Sequence, residues 1–372
     1  MSWVVHLVET VSGTVGRALD PVGGSWSVEI NKTDSGSVTV KKADLADLAV
    51  EWFTPWKTSV LFSYVTPDGD VVPWCGGPIT GWPSETLHEL ELSWAGIRKI
   101  FERRHFERDM KLTGMSLGSI AWEVVKAGMD KRGGGLPIVH GTPTETYSPG
   151  HQRTYEAWNL ANNIVNKRLT ELSEVINGPD MMFRPEWAAE DRSRVRWVFV
   201  HGTRVDPAIP QAWVPDWDAT SQADVVDLDL TSSADDITSR VWGTGAGEGK
   251  ATVITKAEDL ALVTEYFPFL ETVISDPDQD KAAPIYAKCQ AALSGSRRMV
   301  DQLSLTVRAD SVKNPLTSWQ VGDDARVTLP DDFYTIPGGT RDMRIIKAYG
   351  GLNEQVTLEL QEGQWFRPSD DI

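Results

Sequence analysis

The feature that most constrains this chain is a segment that occurs twice in related form, once near each end. Residues Val60–Trp94 read strand, loop, glycine-containing strand, turn, strand, as LFSYVTPDGD, GGPITGW and HELELSW. Residues Ala325–Leu360 read the same way, as ARVTLPDDFYTIPGG, MRIIKAYG and EQVTLEL. The match lies in pattern and is loose in residue identity. A real internal duplication builds a repeated surface more readily than a single catalytic pocket. A chance likeness between β-hairpins is the alternative.

Around this pattern the chain divides by period. Residues 1–100 alternate apolar and polar positions, as in Glu89-Leu90-Glu91-Leu92-Ser93-Trp94, and predict a first small β-barrel module. A short helix is expected at 43–50. Residues 101–222 predict a helical and mixed insert. One helix starts near Ser116–Ser119 and stops at Gly133-Gly134-Gly135. A second is the clearest of all: Trp158, Ala161, Val165, Leu169, Leu172 and Ile176 recur at helical spacing. MMFRPEWAAEDRSRVRWVFVHG then reads strand, turn, strand. Residues 223–256 predict the first part of a second β-barrel module, 257–300 a mostly non-β helical or irregular insert, and 301–372 the remainder of that module. A helix from about Asp280 to Leu293 is expected in the insert, with Asp278 or Asp280 as its cap. The fold class is therefore mainly β with α+β insertions. A chain of 372 residues and 41.1 kDa is long enough for about two to four domains.

Charge narrows the function classes. Formal net charge is -17 and the pI about 4.8. Such a chain is a poor general binder of phosphate backbone, because that affinity comes from Lys and Arg. The two cysteines, Cys75 and Cys289, form no CxxC and predict neither a disulfide framework nor a thiolate metal site. The N-terminus has no signal-peptide pattern, and no run approaches the roughly 20 apolar residues of a membrane helix. Sixteen tryptophans are many, and several, such as Trp26, Trp94 and Trp197, fall inside strand patterns, as core or interface residues would.

No motif singles out catalysis. GTGAGEGK at 243–250 lacks the Ser or Thr of a phosphate loop and runs into a strand pattern, ATVIT. The six histidines form no HExxH; His140 and His151 flank one loop, without a metal site being specified. Adjacent carboxylates such as Asp235-Asp236 do not face one another on a helix or strand. Glu156 and Asp218 are compatible with a glycosidase pair, but nothing selects them. No catalytic, cofactor-binding or metal residue is assigned.

The assembled pattern resembles the tail-hub, or baseplate-hub, family of long-tailed bacteriophages, the minor tail proteins of actinobacteriophages among them. Four stretches carry the likeness: LELSWAGIRKIFERR closing the first β module, YEAWNLANNIVN, ADDITSRVWGTGAGEG, and WQVGDDARVTLPDD with RDMRIIKAYGGLNEQVTLELQ. The last resembles a segment in which a GD-x-V turn precedes a strand; here the turn departs slightly, as Gly322-Asp323-Asp324-Ala325-Arg326-Val327. The likeness spans nearly the whole chain through diffuse motifs.

The resemblance implies two related barrels side by side and three chains in a pseudo-sixfold ring, a homotrimer that adapts a sixfold tail tube to a threefold tip. Partners would be a distal tail or tail-tube protein, a tape-measure protein and other tail-tip proteins. The protein would sit at the distal tip of the virion tail after assembly in the host cytoplasm. DNA would pass through the lumen without specific binding. Glu89, Glu91, Asp323, Asp324, Asp331 and Asp332 are the candidate lumen-facing carboxylates, with the outer solvated face as their other placement. Some relatives carry a wall-cleaving domain further along, for which this sequence leaves no room after its second β module. A receptor- or carbohydrate-binding tail protein is the alternative reading, motivated by the tryptophans, followed by a cell-wall hydrolase.

Overall fold

The computed structural model describes residues 3–362 except 47, 176, 222–223, 278 and 297–299. Its elements run β1 (Trp3–Glu9), β2 (Val15–Leu19), β3 (Pro21–Glu29), β4 (Ser35–Lys41), β5 (Thr58–Val65), β6 (Val71–Glu85), β7 (Glu89–Ala95), β8 (Met110–Met115), α1 (Leu117–Met129), β9 (Ile138–His140), β10 (His151–Tyr155), α2 (Val165–Ser173), β11 (Met181–Trp187), β12 (Val195–His201), β13 (Asp216–Asp218) and β14 (Val225–Ser233). They continue with β15 (Arg240–Thr244), β16 (Ile254–Glu258), α3 (Ala261–Thr264), β17 (Glu271–Ser275), α4 (Ala282–Gly295), β18 (Val300–Arg308), β19 (Asp324–Leu329), β20 (Gly339–Gly350) and β21 (Gln355–Glu362).

Thirteen strands share one sheet, in the order β14-β18-β21-β20-β3-β4-β7-β6-β5-β1-β2, with β19 beside β20 and β13 beside β19. Two stretches of this order are the same arrangement. β3-β4-β7-β6-β5 and β14-β18-β21-β20-β19 each place five strands as first, second, fifth, fourth, third. The segments that look alike in sequence are thus the last three strands of two five-stranded repeats. The repeats do not close into two separate barrels. Among the described residues the sheet stays open, because the long β20 shares its edge. Asp324–Leu329 of β19 pair along Gly339–Arg344, and Trp26–Glu29 of β3 take over along Lys347–Gly350. That handover stitches one repeat to the other.

The chain forms two compact units, Met1–Glu174 with Gly178–Asp229 and Ser304–Leu360, and Val175–Asn177 with Leu230–Leu303 and Gln361–Ile372. In the first, alternation sets the core. Val38 and Val40 of β4, Leu92 and Trp94 of β7, Leu305 and Val307 of β18, and Val356 and Leu358 of β21 are buried. α1 begins where Ser116 Oγ accepts the Ser119 amide at 3.2 Å, a side-chain cap for one orphan donor. It stops at Met129, four residues before the glycines expected to end it.

The expected long helix is a correction. His151–Tyr155 instead pair antiparallel with β8, residues 156–163 turn, and α2 spans only Val165–Ser173. Val165, Leu169 and Leu172 do form its buried face, whereas Trp158 is 78% exposed. Ile176 lies outside the described residues. The pattern over-extended because turn and strand residues happened to continue helical spacing. At 43–50 two separate 3-10 turns, Lys42–Leu45 and Val50–Phe53, replace the single short helix.

In the second unit, β15 pairs antiparallel with β16 and parallel with β17. Ile285, Cys289 and Leu293 of α4 pack on Val241 and Ala257 of this sheet. Gly243 faces α4 so closely that a Cβ would collide with Ile285 and Cys289. The 223–256 stretch therefore divides: β14 joins the large sheet, and β15 and β16 join the small one. β17 is a strand in a stretch expected to be mostly non-β. α4 starts at Ala282 without a side-chain cap, so Asp280 does not cap it, and Asp278 lies outside the described residues. The glycine-rich segment bends from β15 through a 3-10 turn, Gly249–Ala251, into a strand. It offers no long helix N-terminus to a phosphate.

Candidate functional site

The strands that bury apolar residues on one face of the large sheet carry a hydroxyl-rich face on the other. Ser25 and Ser37 pair at 3.2 Å, Thr80 and Ser93 at 3.1 Å, and Thr306 and Thr357 at 3.1 Å. Lys347 Nζ donates to Glu359 Oε1 at 2.6 Å. The hydroxyl pairs occur in both repeats, because period-two alternation holds along much of β18, β21, β3, β4 and β7, while β20 breaks it between Met343 and Ala348. The face is polar and of mixed charge. Short hydroxyl pairs satisfy one another there and offer little to grip a phosphate.

The six candidate carboxylates separate on this frame. Glu89 is exposed and Glu91 half-buried, both on the polar side of β7, with Glu89 opposite Lys41 and Glu91 opposite Thr39. Asp331 and Asp332 are exposed in the 330–338 loop between β19 and β20. Asp324 is half-buried; its amide donates to Gln211 Oε1 at 2.5 Å. Asp323 is a correction. It is buried, at 5% exposure, and its Oδ2 accepts the Gln320 amide at 2.8 Å. Burial pushes its carboxyl up to about 6, against the pull of Arg184. It organises the turn before β19 and cannot line a channel in this conformation.

Asp323 belongs to a polar network at the joint between the repeats. Asp180 pairs with Arg344 of β20 and accepts Asn31 Nδ2 at 2.8 Å. Asn31 Oδ1 takes the Met181 amide at 2.8 Å, and its carbonyl takes the Arg98 guanidinium. Arg98 also donates to Asn166 Oδ1 at 2.7 Å on α2, and burial draws its guanidinium down to about 10. Arg184 donates to the Val321 carbonyl at 3.2 Å and lies 3.9 Å from Asp323. Buried ionic groups gain little net stability, but leaving one unpaired is costly, so such a network penalises any other docking of these elements. Sequence reading missed it. Asn31, Asp180 and Arg344 are far apart in the chain, and only the turn position of Asn31 carries a local signal.

An aromatic run crosses the same joint. Ring centroids are 5.4 Å apart for Trp3 and Trp26, 5.7 Å for Trp26 and Trp74, 5.5 Å for Trp74 and Trp319, and 5.7 Å for Trp319 and Trp217. Trp26, Trp94 and Trp197 are core residues, as their strand positions imply.

His140 meets His201 and not His151. The two Nε2 atoms are 2.9 Å apart, and His201 Nδ1 lies 2.7 Å from the Gly202 carbonyl. Trp122 of α1 stacks on His140 at 4.6 Å. Among the described residues no three His, Cys, Asp or Glu side chains are arranged to hold a metal.

No family model matches the chain, and no curated protein matches it by sequence. Solved structures do. A tail protein from Neisseria meningitidis superposes with a TM-score of 0.58 at 14% identity, covering 98% of this chain and 97% of that one. The 43 kDa tail protein of prophage MuSo2 from Shewanella oneidensis gives 0.57 at 12%, covering 98% and 100%. Prophage tail protein gp18 from Listeria monocytogenes gives 0.51 at 10%, covering 97% and 94%. At these identities the likeness is one of fold, and it extends over at least 94% of each chain.

Proposed function

We propose that this chain is a structural hub of a phage tail tip, three copies of which close a ring that joins a sixfold tail tube to a threefold tip and conducts DNA. The observation that carries the reading is the pair of five-stranded repeats in one strand order, joined by β20 and β3. Three chains then offer six similar positions, which a sixfold partner requires. The tail-protein fold of the three structural neighbours supports the setting.

The joint inside the chain also suggests the joint between chains. β5 leaves the edge of β6 at Pro78, as β19 leaves the edge of β20 at Arg344. β14 holds the place in its repeat that β3 holds in the other. A β14-to-β6 contact between copies repeats the β20-to-β3 contact within one. The hydroxyl-rich face, with Glu89 and Glu91, would line the lumen, and Asp324, Asp331 and Asp332 remain proposed at its margin. Neighbours along the tail would be a tube protein, a tape-measure protein and tip proteins.

Native mass spectrometry tests the stoichiometry. Three times 41.1 kDa, alone or in tails dissociated stepwise, is expected. A chain that leaves the tail only as a monomer or dimer contradicts the reading.

A further inference from the structure

Two backbone requirements meet in the turn between α2 and β11. Asn177 lies in the left-handed region, at φ 58°, where asparagine is one of the few side chains tolerated. The next residue packs against the last turn of α2. A Cβ at Gly178 would sit 2.4 Å from the Ser173 carbonyl oxygen and 2.7 Å from that of Leu172, so only glycine fits there. The turn thus sets an asparagine directly before a glycine, and Asn177-Gly178 is the only such pair in the sequence.

That dipeptide carries its own chemistry. A backbone amide nitrogen can attack the carboxamide carbon of the asparagine before it. The attack is easiest when the attacking residue has no side chain to shield its nitrogen and when neither group is tied up in a hydrogen bond. Of the eight asparagines, seven have their carboxamides held. Asn31 donates to Asp180 and accepts the Met181 amide, Asn166 accepts Arg98, and Asn314 donates to the Asp216 carbonyl. Asn177 is the exception. It is exposed, and among the described residues neither its carboxamide nor the Gly178 amide has a hydrogen-bond partner.

We infer that Asn177 is the site of a spontaneous backbone modification of this chain. The Gly178 nitrogen gives up its proton to solvent base and bonds to Cγ of Asn177. The Cγ–Nδ2 bond breaks, ammonia leaves, and a succinimide ring closes. Water then adds to one of the two ring carbonyl carbons and reopens the ring, to aspartate at one carbon and to isoaspartate at the other. The product carries a new carboxylate next to Gly178, which abuts the last carbonyls of α2, where the helix dipole disfavours negative charge. In the isoaspartate form the backbone is also one atom longer. That extra atom falls three residues before Asp180, whose carboxylate pairs with Arg344 and accepts Asn31. Modification at Asn177 therefore weakens the hold on Asp180.

The test incubates the folded full-length chain at pH 6 and at pH 8 and follows its tryptic peptides by mass spectrometry. The peptide 169–192 carries Asn177 and holds no other asparagine and no glutamine. Its mass is expected to rise by the difference between a hydroxyl and an amino group, faster at pH 8 because the attack needs the deprotonated amide. The peptides with the other asparagines should stay unchanged over the same interval. Asn177→Gly keeps a residue suited to the left-handed region and removes the carboxamide, so its peptide should show no such rise. The modified fraction, separated by its extra negative charge, should unfold at a lower urea concentration than the fresh chain. A rise that comes first at another asparagine overturns the assignment, as does none at Asn177 after the free peptide 169–192 has converted under the same conditions. A modified fraction as stable as the fresh chain overturns the link to Asp180.

Discussion

Trp74 of β6 and Trp319, in the connection leading to β19, meet edge to face with ring centroids 5.5 Å apart and planes at 80°. One belongs to each repeat. Trp319 is 1% exposed and also packs edge-on against Trp217. The two repeats therefore share a core as well as a sheet, and they should unfold together.

Trp319→Ala tests that coupling. Truncating a buried tryptophan costs about 3–5 kcal/mol from lost burial and the cavity left behind. The denaturation midpoint should fall accordingly, with near-UV circular dichroism of the remaining tryptophans lost in one transition with the far-UV signal. A loss below about 1 kcal/mol would mean that the ring does not bridge the repeats.

Asp323 should make stability fall as pH rises. Its carboxyl titrates near 6 in the folded chain and near 3.8 when unfolded, because burial disfavours the charge. The unfolded chain gives up this proton first. The contribution is full below 3.8, is lost through the interval to about 6, and stays lost above it. The shift corresponds to about 3 kcal/mol. Asp323→Asn should remove that component, seen as a smaller difference between urea midpoints at pH 4.5 and 7 relative to the parent after common titrations cancel. Parallel profiles for the two proteins would contradict it.

The histidine pair acts in the opposite direction. His201 donates through Nδ1 to Gly202, so its Nε2 accepts from His140. Burial and the neighbouring imidazole hold His140 down to about 4, below its ordinary 6.5. The unfolded chain protonates first, so this contribution is full above 6.5 and is lost as pH falls toward 4. His140→Gln keeps a donor without the titration. Its urea midpoint should drop less between pH 7 and 5 than that of the parent; equal drops would rule out His140 as a cause.

Gly118 lies in α1 against His201. A Cβ there would run into His201 Nδ1 and the Gly202 carbonyl. Alanine is intrinsically the better helix former by about 1 kcal/mol, but overpacking costs about 1–3 kcal/mol. Gly118→Ala should therefore destabilise, and a raised melting temperature would show that α1 can shift.

Much of the fold was legible because strands such as β7 and β19 alternate buried and open positions. Leu90, Leu92 and Trp94 point inward and Glu89, Glu91 and Ser93 outward, as in the sequence pattern. Local pattern failed where pairing came from afar. Tyr155 looks helical beside Trp158, yet it pairs with Met110. Glu271–Ser275 is too short to announce a strand, and it forms one because β15 runs alongside. Asp323 reads in the sequence like the other turn aspartates; the packing of Arg184 and β20 around it decides that it is buried. The open, shared sheet could not be read either, since β20 divides its edge between β19 and β3 by a register that no local residue encodes.

The most direct test of the account is single-particle cryo-electron microscopy of the purified chain at high concentration, or of the tail tip if the ring forms only there. The account predicts a threefold ring in which the two repeats alternate at nearly 60° steps, β14 of each copy lies along β6 of the next, and the hydroxyl-rich face lines the channel. A particle whose repeats are not related around a common axis, or whose hydroxyl-rich face points away from it, would contradict the account.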